Sequence, residues 1–224
     1  MGNKGIHSFT LMELLVVMVM IGILALIAYP AFISVEERAK VTADMNNLRQ
    51  IGVATQMYMN DNDGVLFSTT RSWMSQLNPK YLPAWKIFLS PFDTRAASEI
   101  GDATTPISYG LNGNPSGSSI AGLSVTKITN ASGFIIFAPA QASGTTVSFQ
   151  GTALTPSPYV TVFKTATNPG GPASGGTHGS RQKINALFAD LHAESISWSN
   201  FSTDACTSTN PSASPCWTPY FPYP

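Results

Sequence analysis

The chain has 224 residues, of which 43% are apolar and 11% are charged, and twelve basic side chains balance twelve acidic ones. Soluble domains carry roughly 25% charged residues, so this chain is charge-poor. Its zero net charge argues against bulk electrostatic binding to nucleic acid or anionic lipid. The low charge content also argues against the usual charge-rich disordered class.

The first predicted element is a membrane-spanning helix over residues 9–29, a run of 21 residues with one charge, Glu13. As a helix it would measure roughly 31 Å, enough for the hydrocarbon core of a bilayer. A secretory signal peptide is the alternative, but its apolar region is about 7–15 residues long and ends at an A-x-A-like site. A buried helix of a globular domain is disfavoured because the run is apolar on every face.

The charges that flank this helix predict its orientation. Lys4 precedes the helix, whereas the charges that follow it cancel; these are Glu36, Glu37, Arg38 and Lys40. The positive flank stays in the cytoplasm. We therefore expect a single-pass membrane protein, with its N-terminus in the cytoplasm and everything after Pro30 outside.

Glu13 is anomalous, because a carboxylate in a membrane helix costs about 2.5–3.5 kcal/mol near the bilayer centre and less near an end. Two interpretations are open. Glu13 lies in the headgroup region, or it requires a positive partner. No Lys or Arg occurs between Lys4 and Arg38. Such a partner must come from another chain, or from a new amino terminus made by cutting this one.

The segment Lys4–Ser8 followed by FTLMELLVV resembles the class III signal of type IV pilins and type II secretion pseudopilins. The resemblance implies that prepilin peptidase removes residues 1–8, cutting between Ser8 and Phe9, and methylates the new terminus. It also implies that Glu13 pairs with the terminal amine of a neighbouring subunit during filament assembly. The family prefers Gly before the cut, but Ser8 is small and we expect cleavage to survive.

Residues 30–60 continue the helix as an amphipathic segment. The family also tends to have a proline at the position of Pro30, and proline bends a helix. Apolar or uncharged side chains then recur at helical spacing, at Val41, Met45, Leu48, Ile51, Thr55 and Tyr58. We expect four polar residues on other faces of the helix: Arg38, Asp44, Asn47 and Arg49.

The sequence Asp61-Asn62-Asp63-Gly64 predicts the end of the helix. Asp61 and Asp63 are also weak calcium candidates. However, an EF-hand loop places its Gly later and closes with a Glu, and both features are missing here. We therefore expect a helix-terminating turn, and no metal or cofactor.

Residues 61–224 are expected to form a β-rich extracytoplasmic domain with a short helix over 72–77. Strands are predicted at 107–111, 133–138, 145–149 and 159–164, together with a hairpin that turns at 189–192. A flexible linker is the alternative for residues 103–163, but their aromatic residues favour packed strands. The predicted fold class is α+β, with the long N-terminal helix packed against a small antiparallel sheet.

Two groups of polar residues remain. His178, Asp190, His192 and Glu194 could suggest a metal or catalytic site, but their spacing matches no zinc motif, and no catalytic motif occurs in the chain. We therefore expect that the protein is not an enzyme.

Cys206 and Cys216 are an even pair in a segment predicted to face outward, which suggests a disulfide.

The resemblance therefore implies a filament subunit of the inner membrane, whose partners are prepilin peptidase, copies of itself, other pilin-like subunits, membrane lipid and an inner-membrane assembly platform. The region after the membrane helix resembles major pseudopilins and favours a type II secretion pseudopilus. The C-terminal cysteine pair resembles type IV pilins, which serve adhesion, motility or DNA uptake. A membrane-anchored binding protein that never assembles is a third hypothesis.

Overall fold

The computed structural model describes residues 10–68, 71–93, 107–113, 131–142, 148–150, 176–180 and 182–198, with the single positions 122, 124, 126, 128 and 200. Its first element, α1, spans Leu11–Asp61 and has 51 residues. The chain divides into two compact units, Met1–Ala39 and Lys40–Pro224. α1 therefore contributes residues to both units.

The first part of α1 is an exposed apolar helix. Every large apolar side chain from Leu11 to Val35 is exposed. By its length and composition, α1 is able to cross a membrane. Pro30 lies inside α1, and the bend expected there remains a prediction.

The second part of α1 buries one stripe of side chains. The buried residues are Asp44, Leu48, Ile51, Gly52, Ala54, Thr55 and Met59. This stripe confirms the amphipathic pattern, but the placement of Asp44 on another face is wrong, since Asp44 is fully buried. Asp44 and Leu48 are four residues apart, which places both on one face of a helix. The polarity of Asp44 predicts an exposed side chain, whereas the hydrogen-bond partners of its carboxylate make burial possible.

α1 ends at the predicted turn. The backbone N–H of Gly64 donates to the carbonyl of Met59 over 2.9 Å. Asp63 and Gly64 both have positive φ, at 53° and 74°, a left-handed conformation that commonly ends helices.

The predicted strands form one sheet. β1 spans Ile107–Gly113, β2 spans Ile135–Ala142 and β3 spans Ser148–Gln150. β4 at Lys183–Phe188 and β5 at Ala193–Ser197 form the predicted hairpin. The strand predicted at 159–164 lies outside the described residues.

The sheet has the strand order β3-β1-β2-β4-β5. Four strands pair antiparallel, which confirms the α+β fold class. The short β3 differs from the expected arrangement, because it pairs parallel with β1 at the edge of the sheet. Parallel neighbours need a crossover connection, which the local strand pattern does not reveal.

Aromatic side chains fill the core beside the sheet. The short helix α2 spans Trp73–Leu77 and confirms the helix predicted over 72–77; a 3₁₀ helix follows at Trp85–Phe88. The ring of Trp73 lies 4.7 Å from that of Phe137 and 5.3 Å from that of Phe88, measured between centroids. These edge-to-face contacts add to the free energy gained by burial.

Gly52 permits a close approach between α1 and β4. A Cβ atom built on Gly52 would lie 3.1 Å from Cδ1 of Leu187. We expect Gly52→Val to lower the free energy of unfolding by about 1–3 kcal/mol through overpacking, measured by denaturant unfolding of the full chain in detergent. Gly22→Val is the matched control, because nothing lies within 4 Å of a Cβ built there. Equal stability of the two variants would contradict the close approach.

Candidate assembly site at the N-terminal end of the helix

Thr10 and Glu13 form a reciprocal hydrogen-bonded pair at the start of α1. The backbone N–H and the hydroxyl of Thr10 donate to Oε2 of Glu13 over 2.9 and 2.8 Å. The backbone N–H of Glu13 donates to the Thr10 hydroxyl over 3.3 Å. This is a capping box, in which two side chains satisfy backbone N–H groups that the first helical turn leaves without partners.

The capping box gives the Glu13 carboxylate a local partner that was not predicted from the sequence. The spacing Thr-x-x-Glu immediately before an apolar run is its sequence signal, and it is present in TLME. Both Thr10 contacts go to Oε2 of Glu13. Within the described part of the chain, Oε1 of Glu13 accepts no hydrogen bond. One carboxylate oxygen is therefore available to a donor from another molecule.

The surroundings of Glu13 are apolar. Leu11, Met12 and Leu14 beside it are all exposed. Among the described residues, no lysine or arginine forms an ion pair with Glu13. The negative charge therefore lies on an exposed apolar helix, and a cationic group brought there in an apolar environment would be attracted strongly.

Several predicted site residues lie outside the described residues. These are Ser8 and Phe9 at the expected cut, and Cys206 and Cys216 of the expected disulfide. Cleavage between Ser8 and Phe9, and the bond between the cysteines, remain predictions.

The weak calcium candidates differ in their contacts. Asp61 accepts hydrogen bonds from Nζ of Lys80 over 2.7 Å and from the hydroxyl of Tyr81 over 2.8 Å. These bonds hold the pKa of Asp61 below its usual range. Asp63 lies in the left-handed turn after α1. Among the residues that the structure describes, no three acidic, histidine or cysteine side chains are placed to hold a metal ion.

The two histidines considered as ligands have separate environments. His178 is buried, stacks on Phe92 and lies 2.8 Å from the Ser195 hydroxyl through Nε2. His192 is partly exposed, stacks on Phe188 with ring centroids 4.2 Å apart and contacts Asp190 through Nδ1. Both sets of contacts fit structural roles in the hairpin.

A buried polar cluster surrounds Asp44 of α1. Oδ1 of Asp44 accepts hydrogen bonds from the hydroxyls of Ser90 and Tyr109 over 2.5 and 2.6 Å. Oδ2 accepts one from Nδ2 of Asn185 over 2.8 Å. Burial raises the pKa of Asp44 above its usual range, although these three hydrogen bonds oppose the shift. Burial and the charge of Asp44 also hold the pKa of Tyr109 well above its usual range.

Part of the chain is similar to known proteins. Residues 3–29 match the family model described as the Prokaryotic N-terminal methylation motif. Over 55 residues, or 25% of this chain, the sequence is 43% identical to the type II secretion system core protein G of Pseudomonas aeruginosa. That match spans 39% of the relative's own length. No solved structure matches the chain.

Proposed function

We propose that this chain has a filament function, and we infer from its N-terminal region that it is a member of the family of type IV pilins and type II secretion pseudopilins. In this proposal the chain is the precursor of a pilin-like subunit. Prepilin peptidase removes residues 1–8, and the mature subunit waits in the inner membrane before it joins a helical fibre. Its role is structural, without catalysis.

The exposed apolar part of α1 is the observation that carries this proposal. From Leu11 to Val35 its large apolar side chains are exposed to solvent in the single chain. Such a surface must be covered by lipid or by protein. A helix that is apolar on all sides suits both environments, so it can leave the bilayer and pack among copies of itself.

Glu13 supports an ordered rather than a random packing of these helices. Cleavage before Phe9 creates a positively charged amine at the end of the apolar segment. Glu13 of one subunit pairs with that amine of the next, while Thr10 continues to bond Oε2. A charge-assisted hydrogen bond of this kind contributes about 1.5–3 kcal/mol. Only one stagger of neighbouring helices brings the two groups together.

We further propose that the fibre is a type II secretion pseudopilus, as the name of the Pseudomonas aeruginosa relative suggests. The second candidate is a type IV pilus, which is favoured by the resemblance of the cysteine pair, Cys206 and Cys216, to the C-terminal region of type IV pilins. A deletion strain that fails to export secreted enzymes while keeping normal surface fibres would support the pseudopilus. Loss of long surface fibres with normal export would support the pilus.

A membrane-anchored binding protein that never assembles is the third candidate. Its domain would face outward in the same orientation, with the N-terminus in the cytoplasm, as the positive flank at Lys4 predicts. It would require neither the assembly platform nor copies of itself. A processed chain that stays monomeric in the membrane would favour it over both filament functions.

Processing gives a direct prediction. We expect the mature chain to begin at Phe9 and to carry a methyl group on its terminal amine. Intact-mass spectrometry of the membrane-extracted protein would show the loss of residues 1–8. Ser8→Gly should give the same mature terminus, formed faster. Mature protein that uniformly retains Ser8 would contradict the proposed processing.

A further inference from the structure

Asp44 joins α1 to three other parts of the fold. Its partners are Ser90 after the 3₁₀ helix, Tyr109 on β1 and Asn185 on β4, which are 46, 65 and 141 positions away in the sequence. Nδ2 of Asn185 also lies 3.4 Å from the carbonyl oxygen of Val41 on α1. One side chain of the helix thus meets donors from three separate segments.

Stability does not explain this cluster. Asp44 has 0% exposure, and within the described part of the chain none of the groups that bond to it carries a positive charge. Burying a carboxylate without a cation is costly even when it is hydrogen-bonded. Oδ1 of Asn185 is also buried without a hydrogen-bond partner. An apolar residue would continue the stripe of Leu48 and Ile51 at lower cost.

Apolar contacts alone define the position of α1 weakly, because they have no direction. A shift of α1 by one helical turn, about 5.4 Å, would bring Leu48 to the place of Asp44, or Asp44 to the place of Leu48. It would still bury apolar side chains against the sheet. It would also separate Asp44 from all three hydrogen-bond donors. A buried carboxylate without hydrogen bonds would lower the free energy of unfolding by several kcal/mol.

We infer that Asp44 selects the register of α1 on the sheet, so that its role is to exclude other packings rather than to stabilise the fold. The observed register brings Gly52 against Leu187. It leaves Val53 and Met57 of α1 exposed, at 62% and 48%. If the proposed filament function is correct, register also decides which helix surface a neighbouring subunit meets. The register itself is a property of the single chain and can be tested without filaments.

The test uses the full chain in detergent micelles, with amide NMR spectra and denaturant unfolding measured on each variant. Asp44→Leu removes the directional contacts and keeps a side chain of similar size. It is combined with Ser90→Ala and Tyr109→Phe, so that neither hydroxyl is left buried without an acceptor, while Nδ2 of Asn185 keeps the carbonyl of Val41. We expect the unfolding midpoint of this triple variant to equal or exceed that of the wild type. We also expect the amide resonances of Asn185 and Leu187 to split into more than one set, because several registers become populated.

Two further variants make the result specific. Thr55→Val is the matched control, because Thr55 is buried on the same stripe but its hydroxyl bonds only to the carbonyl of Ile51 in its own helix, over 2.7 Å. It should keep one set of resonances. Asp44→Asn keeps a carbonyl oxygen for Ser90 and Tyr109 and should also keep one set.

Three results would overturn the inference. They are a single set of resonances in the triple variant with wild-type contacts, a lowered unfolding midpoint or loss of folding in that variant, and equal splitting in Thr55→Val. The second of these would mean that Asp44 serves stability. None of them bears on filament formation, so failure of the inference and failure of the proposed function remain distinguishable.

Discussion

Replacing Glu13 by alanine should prevent filament formation while leaving the chain in the membrane. The substitution makes the membrane segment more apolar, so insertion is retained. It removes the proposed partner of the Phe9 amine, and loss of a charged hydrogen bond costs about 1.5–3 kcal/mol at each contact. That corresponds to a roughly ten- to hundredfold weaker association at each contact. Electron microscopy of fibres and membrane fractionation measure the two outcomes.

A second variant separates pairing from helix capping. Glu13→Gln keeps a side-chain oxygen for Thr10, since glutamine also serves in capping boxes, but it lacks the charge. We expect it to insert normally and to fail in assembly as the alanine variant does. Glu36→Ala, which removes an exposed carboxylate of α1 beyond the membrane segment, should assemble normally. Wild-type filaments from Glu13→Gln would show that the charge is not required.

Replacing Phe137 by alanine should give the largest loss of stability. The Phe137 side chain is fully buried, and its ring centroid lies 4.7 Å from that of Trp73 and 6.1 Å from that of Phe67. Its truncation leaves a cavity and removes aromatic contacts, with an expected cost of about 3–5 kcal/mol. Denaturant unfolding of the full chain, followed by tryptophan fluorescence, measures the change.

Phe32→Ala provides the matched comparison for this measurement. Phe32 lies on the first part of α1 and is 67% exposed. It makes the same chemical change without opening a cavity, so the unfolding midpoint of the domain should stay at its wild-type value. If both variants unfolded at the wild-type midpoint, Phe137 would not be a core residue.

Much of the fold could be predicted from local sequence. The apolar run over residues 9–29 predicts a membrane helix by composition alone. The turn at Asp63 and Gly64 and the hairpin at 189–192 depend on residues within a few positions of each other, and both were found. The Thr10–Glu13 capping box was also predictable from local spacing.

The parallel pairing of β3 with β1 was not predictable in the same way. A strand pattern predicts which residues are extended, but it does not say which neighbour they join. The pairing partners of β1 lie on β2 and β3, beyond stretches of polar sequence with few charges. β1 pairs with both of them, and which strand lies on which side of β1 depends on the complete sheet.

Asp44 shows the difference between what the local sequence predicts and what only the tertiary structure decides. The sequence by itself determined that α1 is one long helix, apolar over its first part and amphipathic over its second, because helix periodicity is a local property. Only the tertiary structure decided that a carboxylate belongs to the buried stripe. Its burial depends on Ser90, Tyr109 and Asn185, which chain folding brings from 46 to 141 positions away. A polar residue is predicted to face solvent unless its donors are known, and those donors exist only in the folded chain.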